Sequence, residues 1–136
     1  MSKIAALKKK AADAEKKSPE KAIPIYVELL AEMEKSPPDL DVALFNRVGD
    51  LMVKAGNTSQ AVDYYEKAVD HYVDGGFFNN AIALCNKILP SSPGRASVYY
   101  KLGKISAHKG FKADAKTNFL EYADRMQKAG NTDEAF

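Results

Sequence analysis

The sequence predicts an all-α protein, a stack of about seven antiparallel helices, on three observations. The first is an internal repeat. A shift of 54 residues superposes Phe45 on Tyr99, Gly49 on Gly103, Gly56 on Gly110, Ala61 on Ala115, Tyr65 on Phe119, Tyr72 on Met126, Gly76 on Gly130 and Ala81 on Ala135. A shorter step of 20 residues relates Ala61 to Ala81 and Ala115 to Ala135, which is the length of one helix and one turn. The second observation is a 3.6-residue apolar period in the segments between breakers. The third is the position of those breakers, glycines and prolines that fall where each apolar stripe runs out.

Residues 3–16 form a weak Ala/Lys helix whose main apolar contacts are Ile4 and Leu7. The stretch "SPEKAIPIYVELLAEMEKSPP" is the next helix. Ser18 and Pro19 suit a helix start, but Pro24 predicts a slight kink or a start nearer Ala22. "VALFNRVGDLMVKAG" follows with a stripe of Val42, Leu44, Phe45, Val48, Leu51, Met52 and Ala55, stopped by Gly56. Asn57 and Thr58 then supply a cap for a helix over 59–74, which carries Ala61, Tyr65, Ala68, Val69 and Tyr72 and ends at Gly75-Gly76. "NNAIALCNKILPSSPG" is shorter, resembles "AIPIYVELL" upstream, and is stopped by Pro90 and Pro93. "RASVYYKLGKISAHKG" and "FKADAKTNFLEYADRMQKAG" repeat the third and fourth helices. The closing "GNTDEAF" reads as the opening of an eighth helix, so the chain is expected to be a piece of a longer array that leaves apolar Ala135 and Phe136 at its edge.

These landmarks resemble the tetratricopeptide-repeat (TPR) family, a helix–turn–helix unit with the pattern W-x2-LG-x2-Y…A-x3-F…A…P. Here the pattern runs Phe45-x2-Val48-Gly49-x2-Met52, then Ala61-x3-Tyr65-x2-Ala68. It recurs at Tyr99-x2-Leu102-Gly103 with Ala115-x3-Phe119, and in offset form at Tyr65-x2-Ala68-Val69-x2-Tyr72 with Ala81-x3-Cys85 and Pro93. The resemblance covers about residues 19–136 and implies a right-handed TPR-like α-solenoid. It implies a Lys/Ala-rich capping helix over 1–17 and a repeat domain over 18–136, with units at about 41–93 and 95–136. The helix at 59–74 satisfies both halves of the motif, so the period is three helices, not two. Solenoids that advance one helix at a time, as in vesicle-fusion attachment proteins, are a similar alternative. Gly49 and Gly103 lie inside helices, where each costs about 1 kcal/mol relative to Ala. A close approach by a neighbouring helix is the usual compensation.

The bulk properties exclude several classes. A chain of 136 residues fits one domain without a staple. The net charge of +2 argues against nucleic acid as a partner, although residues 1–21 hold seven Lys against Asp13, Glu15 and Glu20, leaving −2 for the remainder. That basic start reads as a polar cap, in keeping with the need of solenoid ends for a polar outer face. No apolar run is long enough for a membrane span, and the N-terminus lacks a secretory h-region, so a cytoplasmic protein is expected. Cys85 is the only cysteine. His71 and His108 have no ligand-spaced companion, "GGFF" at 75–78 lacks the Lys-Ser/Thr of a phosphate loop, and Asp50, Asp63, Glu66 and Asp70 read as solvated helix faces. No enzyme, metal or cofactor is expected.

What remains is a surface suited to an extended peptide or a partner helix. The resemblance implies ligand-facing positions flanking the buried glycines. They are Asn46, Arg47, Asp50, Val53 and Lys54 on one helix, and Ser97, Tyr100, Lys101, Lys104 and His108 on the other. Asn46 could hold a peptide backbone, and Lys101 with Lys104 could meet a carboxylate. The lysine and asparagine positions of the family's chaperone-tail carboxylate clamp are not all matched, so a chaperone C-terminus is not expected. The expected function is a protein-binding adaptor. The alternatives are a structural spacer that self-associates through its C-terminal edge, or a regulatory region acting on an enzyme or small GTPase.

Overall fold

A computed structural model describes residues 2–134, with side chains to residue 130. Among the described residues every regular element is helical. The order is α1 (Lys3–Lys17), α2 (Pro19–Glu34), a 3₁₀ turn (Pro37–Asp39), α3 (Val42–Lys54), α4 (Thr58–Asp74), α5 (Phe78–Ser91), α6 (Ala96–His108) and α7 (Lys112–Glu134). The chain divides into two compact units between Ala68 and Val69, inside α4. In the first unit α1 packs on α2 and α2 on α3; in the second α5 packs on α6 and α6 on α7.

The helix ends follow from local chemistry. Gly56, Gly76 and Gly110 have φ near +80°, the left-handed conformation that a Cβ disfavours. Each sits just past a helix and makes the same pair of bonds. Asn57, Phe77 and Phe111 donate their backbone N–H groups to the carbonyls of Met52, Tyr72 and Ser106, each at 2.8 Å. The glycines donate to Val53, Val73 and Ala107. These are Schellman closures, and they satisfy carbonyls that a bare helix end would leave open. The cap expected ahead of α4 is present, because Asn57 Oδ1 accepts from the Gln60 N–H at 3.2 Å while its Nδ2 donates to Gln60 Oε1 at 2.7 Å. Ser2 caps α1 in the same manner through the Ala5 N–H.

Three boundaries differ from expectation. α2 begins at Pro19 and runs through Pro24, not from Ala22. Pro24 is solvent-exposed near the helix start, so water can reach the Glu20 carbonyl that lost its donor. α5 accepts Pro90 in its last turn and ends at Ser91. Gly130 does not end α7. It lacks the positive φ of its three counterparts, and the helix continues to Glu134 where an eighth helix was expected to begin. Glycine permits the left-handed turn without compelling it. Ala135 and Phe136, the expected apolar edge, lie outside the described residues.

The first core is built from one face of each helix: Leu7 and Ala11 of α1, Ala22, Tyr26, Leu29, Leu30 and Met33 of α2, and Leu44, Phe45, Val48 and Met52 of α3. Ile4, expected beside Leu7 as a main contact of α1, is only half-buried. α4 buries two stripes, Ala61–Tyr65–Ala68 and Val62–Glu66–Val69. Glu66 is therefore buried, not on the solvated face expected of it, because it lies one turn from both Val62 and Val69 on a buried face broader than a single apolar stripe. The second core takes Ala81, Leu84, Cys85 and Ile88 from α5, Val98 and Ile105 from α6, and Ala115 from α7.

Gly49 and Gly103 set the spacing between helices. A Cβ on Gly49 would lie 2.5 Å from Cε1 of Tyr65, and one on Gly103 would lie 2.6 Å from Cδ1 of Phe119. In both units an aromatic ring from the next helix occupies the notch that the missing side chain leaves.

Two substitution series test this account by thermal or urea denaturation. Gly49→Ala is expected to destabilise by about 1 kcal/mol or more, because overpacking against a buried ring outweighs the gain in helix propensity. Gly103→Ala should cost less, since Phe119 is half-buried and can yield. A stabilising Gly49→Ala would contradict the close contact. Gly130→Ala should be neutral or stabilising by up to about 1 kcal/mol, as it sits in a helix with nothing near its missing Cβ. Gly56→Ala should lose about 1 kcal/mol to left-handed strain. Equal losses at the two positions would place a turn at Gly130.

Candidate functional site

The expected partner-facing residues lie on α3 and α6, one helix in each unit, and the two sets differ in how they are engaged. On α3, Asp50 accepts a 2.6 Å hydrogen bond from the Tyr65 hydroxyl. Burial, reinforced by that carboxylate, pushes the Tyr65 hydroxyl well above the ordinary phenol range. Asp50 thus anchors the ring that covers Gly49, and it is half-buried where a solvated face was expected. Arg47 turns toward α1. Its Nη2 donates to Glu15 Oε1 at 2.5 Å and to the Tyr26 hydroxyl at 3.3 Å, and its guanidinium lies 5.6 Å from the centroid of the Tyr26 ring. Tyr26 in turn donates to the same Glu15 oxygen. The Tyr26 bond first, and Arg47 after it, hold Glu15 below the usual carboxylate range, while burial and Glu15 push Tyr26 up. This three-member network ties α1, α2 and α3 together. Ala12, Glu15, Lys16 and Arg47 line a shallow hollow beside it. Asn46 is half-buried, and Val53 and Lys54 are exposed.

On α6, Lys101 pairs with Asp70 of α4 at 3.0 Å and keeps only 18% of its side chain in contact with solvent. Tyr100 is exposed on one edge and packs against Phe119 and Tyr122, with ring centroids 5.8 and 5.2 Å away. Lys104 places its ammonium over the Tyr100 ring, 5.7 Å from the centroid. Ser97 is half-buried, and His108 stacks on Phe78 at 5.4 Å with the planes 16° apart. Asp70, Val73, Asp74, Lys101 and Lys104 line a hollow between α4 and α6, and a second hollow beside it is lined by Lys104, Ala107, His108 and Phe119. Lys104 forms the shared rim.

The first and second units therefore carry a hollow at the same place, between the first and third helices of a three-helix set. In each, a cation of the third helix pairs with an acid of the first: Arg47 with Glu15, and Lys101 with Asp70. The 54-residue shift superposes Arg47 on Lys101 but could not identify the acids. Glu15, Asp70, Val73 and Asp74 come from helices whose register against their neighbours is not written in the repeat. One signal was present in the sequence. The shift that takes Tyr65 to Phe119 also takes Asp50 to Lys104, so the loss of a phenol hydroxyl coincides with the loss of its acceptor.

No family model and no curated protein matches this sequence. Among the described residues no group of three His, Cys, Asp or Glu could hold a metal ion, and no helix is long and apolar enough to cross a membrane.

Glu15 gives a pH test. Its folded pKa is depressed, so its contribution to stability is complete above the ordinary carboxylate value of about 4.3 and is lost as pH falls through the lower folded value. The stability of the native chain against denaturation should fall as pH drops below about 5, with Glu15→Gln less stable at pH 7 and less dependent on pH there. Parallel curves for the two proteins would remove Glu15 as the source.

Proposed function

We propose that this chain is a non-catalytic protein–protein interaction module, an adaptor of the TPR kind built as a right-handed α-solenoid. Its partner peptide or helix lies against the third helix of a three-helix set. The observation that carries this reading is the recurrence of one hollow in both units, bounded by α1 and α3 in the first and by α4 and α6 in the second. Core positions of the third helix and the helix after it repeat with the sequence, Gly49 with Gly103 and Tyr65 with Phe119, while the residues lining the hollows change. A conserved frame with a variable rim is what a binding scaffold requires, because specificity can then alter without disturbing packing. The single buried thiol suits a reducing compartment such as the cytoplasm.

A second reading has its own support. α7 leaves Leu120 59% and Met126 49% exposed, at positions where the repeat places buried Glu66 and half-buried Tyr72 on α4. A structural segment that stacks on a further helix or a second copy would cover them.

Two measurements separate the readings. The adaptor reading expects proteins captured by the native chain to be lost by a Tyr100→Ala/Lys104→Ala variant that stays folded by circular dichroism, its melting temperature lowered only by the lost Tyr100 ring contacts, and expects a monomer in sedimentation. The structural reading expects concentration-dependent association that Leu120→Glu or Met126→Glu abolishes. Capture unaffected by the double variant would sink the adaptor reading.

A further inference from the structure

The two hollows on α6 differ in chemistry and share Lys104, and this narrows what a partner must carry. The stretch 95–116 holds six basic residues, Arg95, Lys101, Lys104, Lys109, Lys112 and Lys116, against a single acid, Asp114. Most of these cations are not at the hollows or are already engaged. Lys101 is paired with Asp70, and Lys109 donates to Asn79. Lys104 is exposed at the rim, and among the described residues its ammonium meets the face of Tyr100 and no carboxylate. On one side of it lie Ala107, His108 and the edge of Phe119; on the other lie Asp70 and Asp74. An ammonium resting on an aromatic ring is only partly stabilised by it, by about 0.5–1 kcal/mol at an exposed site. It retains donors for a charge-assisted bond.

Resting on the adaptor reading, we infer that this face selects an acidic–apolar peptide, one that sets a carboxylate on Lys104 and the neighbouring apolar side chain in the hollow of Ala107, His108 and Phe119. Charge complementarity fixes the acid, and the aromatic wall of Tyr100 and Phe119 fixes the apolar neighbour. Asp70 and Asp74 on the opposite rim oppose a continuous polyanion. A strand of nucleic acid would bring phosphates against both aspartates, whereas a peptide can bring one carboxylate and leave its next side chain apolar, polar or basic. The first unit does not offer the same site. The repeat puts Asp50 where α6 has Lys104 and Asn46 where it has Tyr100, and Arg47 is already held by Glu15.

The test is selection of a displayed random dodecapeptide library on the native chain, with binding of the enriched synthetic peptides measured against two variants. Lys104→Glu reverses the charge. Ala107→Glu puts a carboxylate into the apolar hollow. Both positions are exposed on a helix, and circular dichroism and melting confirm that each variant folds. The inference expects enriched peptides with Asp or Glu beside a large apolar residue, bound about tenfold or more weakly by either variant. A single-stranded oligouridylate probe should bind more weakly than those peptides. Enriched peptides that lack the acid, or that bind Lys104→Glu as well as the native chain, overturn the inference and leave the adaptor reading standing. Oligouridylate binding equal to or tighter than the peptides overturns it in favour of nucleic acid. A library that yields no binder removes both readings.

Discussion

Everything in this molecule depends on two helices being allowed to touch where a side chain is missing. At Gly49 and Gly103 the absent Cβ leaves a notch, and the rings of Tyr65 and Phe119 fill it at distances that no methyl group would tolerate. The contact fixes how α3 meets α4 and how α6 meets α7. It also explains why a residue unfavourable to helices stands in the middle of two of them. The cost in helix propensity is about 1 kcal/mol, and burial of an aromatic side chain exceeds that.

Around this contact the chain uses one kind of joint. Three Schellman closures, at Gly56, Gly76 and Gly110, turn the backbone after α3, α4 and α6 with the same pair of hydrogen bonds. Each joint is local, so it can be copied without reference to the rest of the fold. The residues that follow the glycines have diverged. Asn57 caps α4, while Phe77 and Phe111 stand largely exposed at the equivalent place. Repetition of the joint preserves geometry and leaves the neighbouring side chain free to change.

The same division runs through the surface. Where the ring is Tyr65, its hydroxyl needs an acceptor and Asp50 supplies it, so that position serves stability. Where the ring is Phe119, nothing is needed, and Lys104 stands in the same place facing outward. Where no phenol hydroxyl needs an acceptor, the corresponding position is a solvent-exposed lysine. In the first unit, by contrast, Glu15, Tyr26 and Arg47 are bound to one another across three helices. The two units share a framework and offer different chemistry at the corresponding place.

The sequence by itself determined the all-α class, the number of helices, the buried glycines and nearly every turn, because those features rest on local propensity and on a period that repeats within the chain. Spacing located α3 and α6, and the family resemblance supplied the residues expected to face a partner. The sequence did not determine which of those residues are engaged. Arg47 and Asp50 carry the same alternation as Lys104, and only their neighbours in space decide that the first two are held and the third is not. Glu66 is hidden for the same reason, since the buried face of α4 is broader than a single stripe and takes in Val62 and Val69 beside it. Gly130 marks the limit most plainly: the residues Gly-Asn-Thr close a helix at 56–58 and continue one at 130–132. A glycine makes the turn possible without compelling it, so the same three residues can close one helix and continue another.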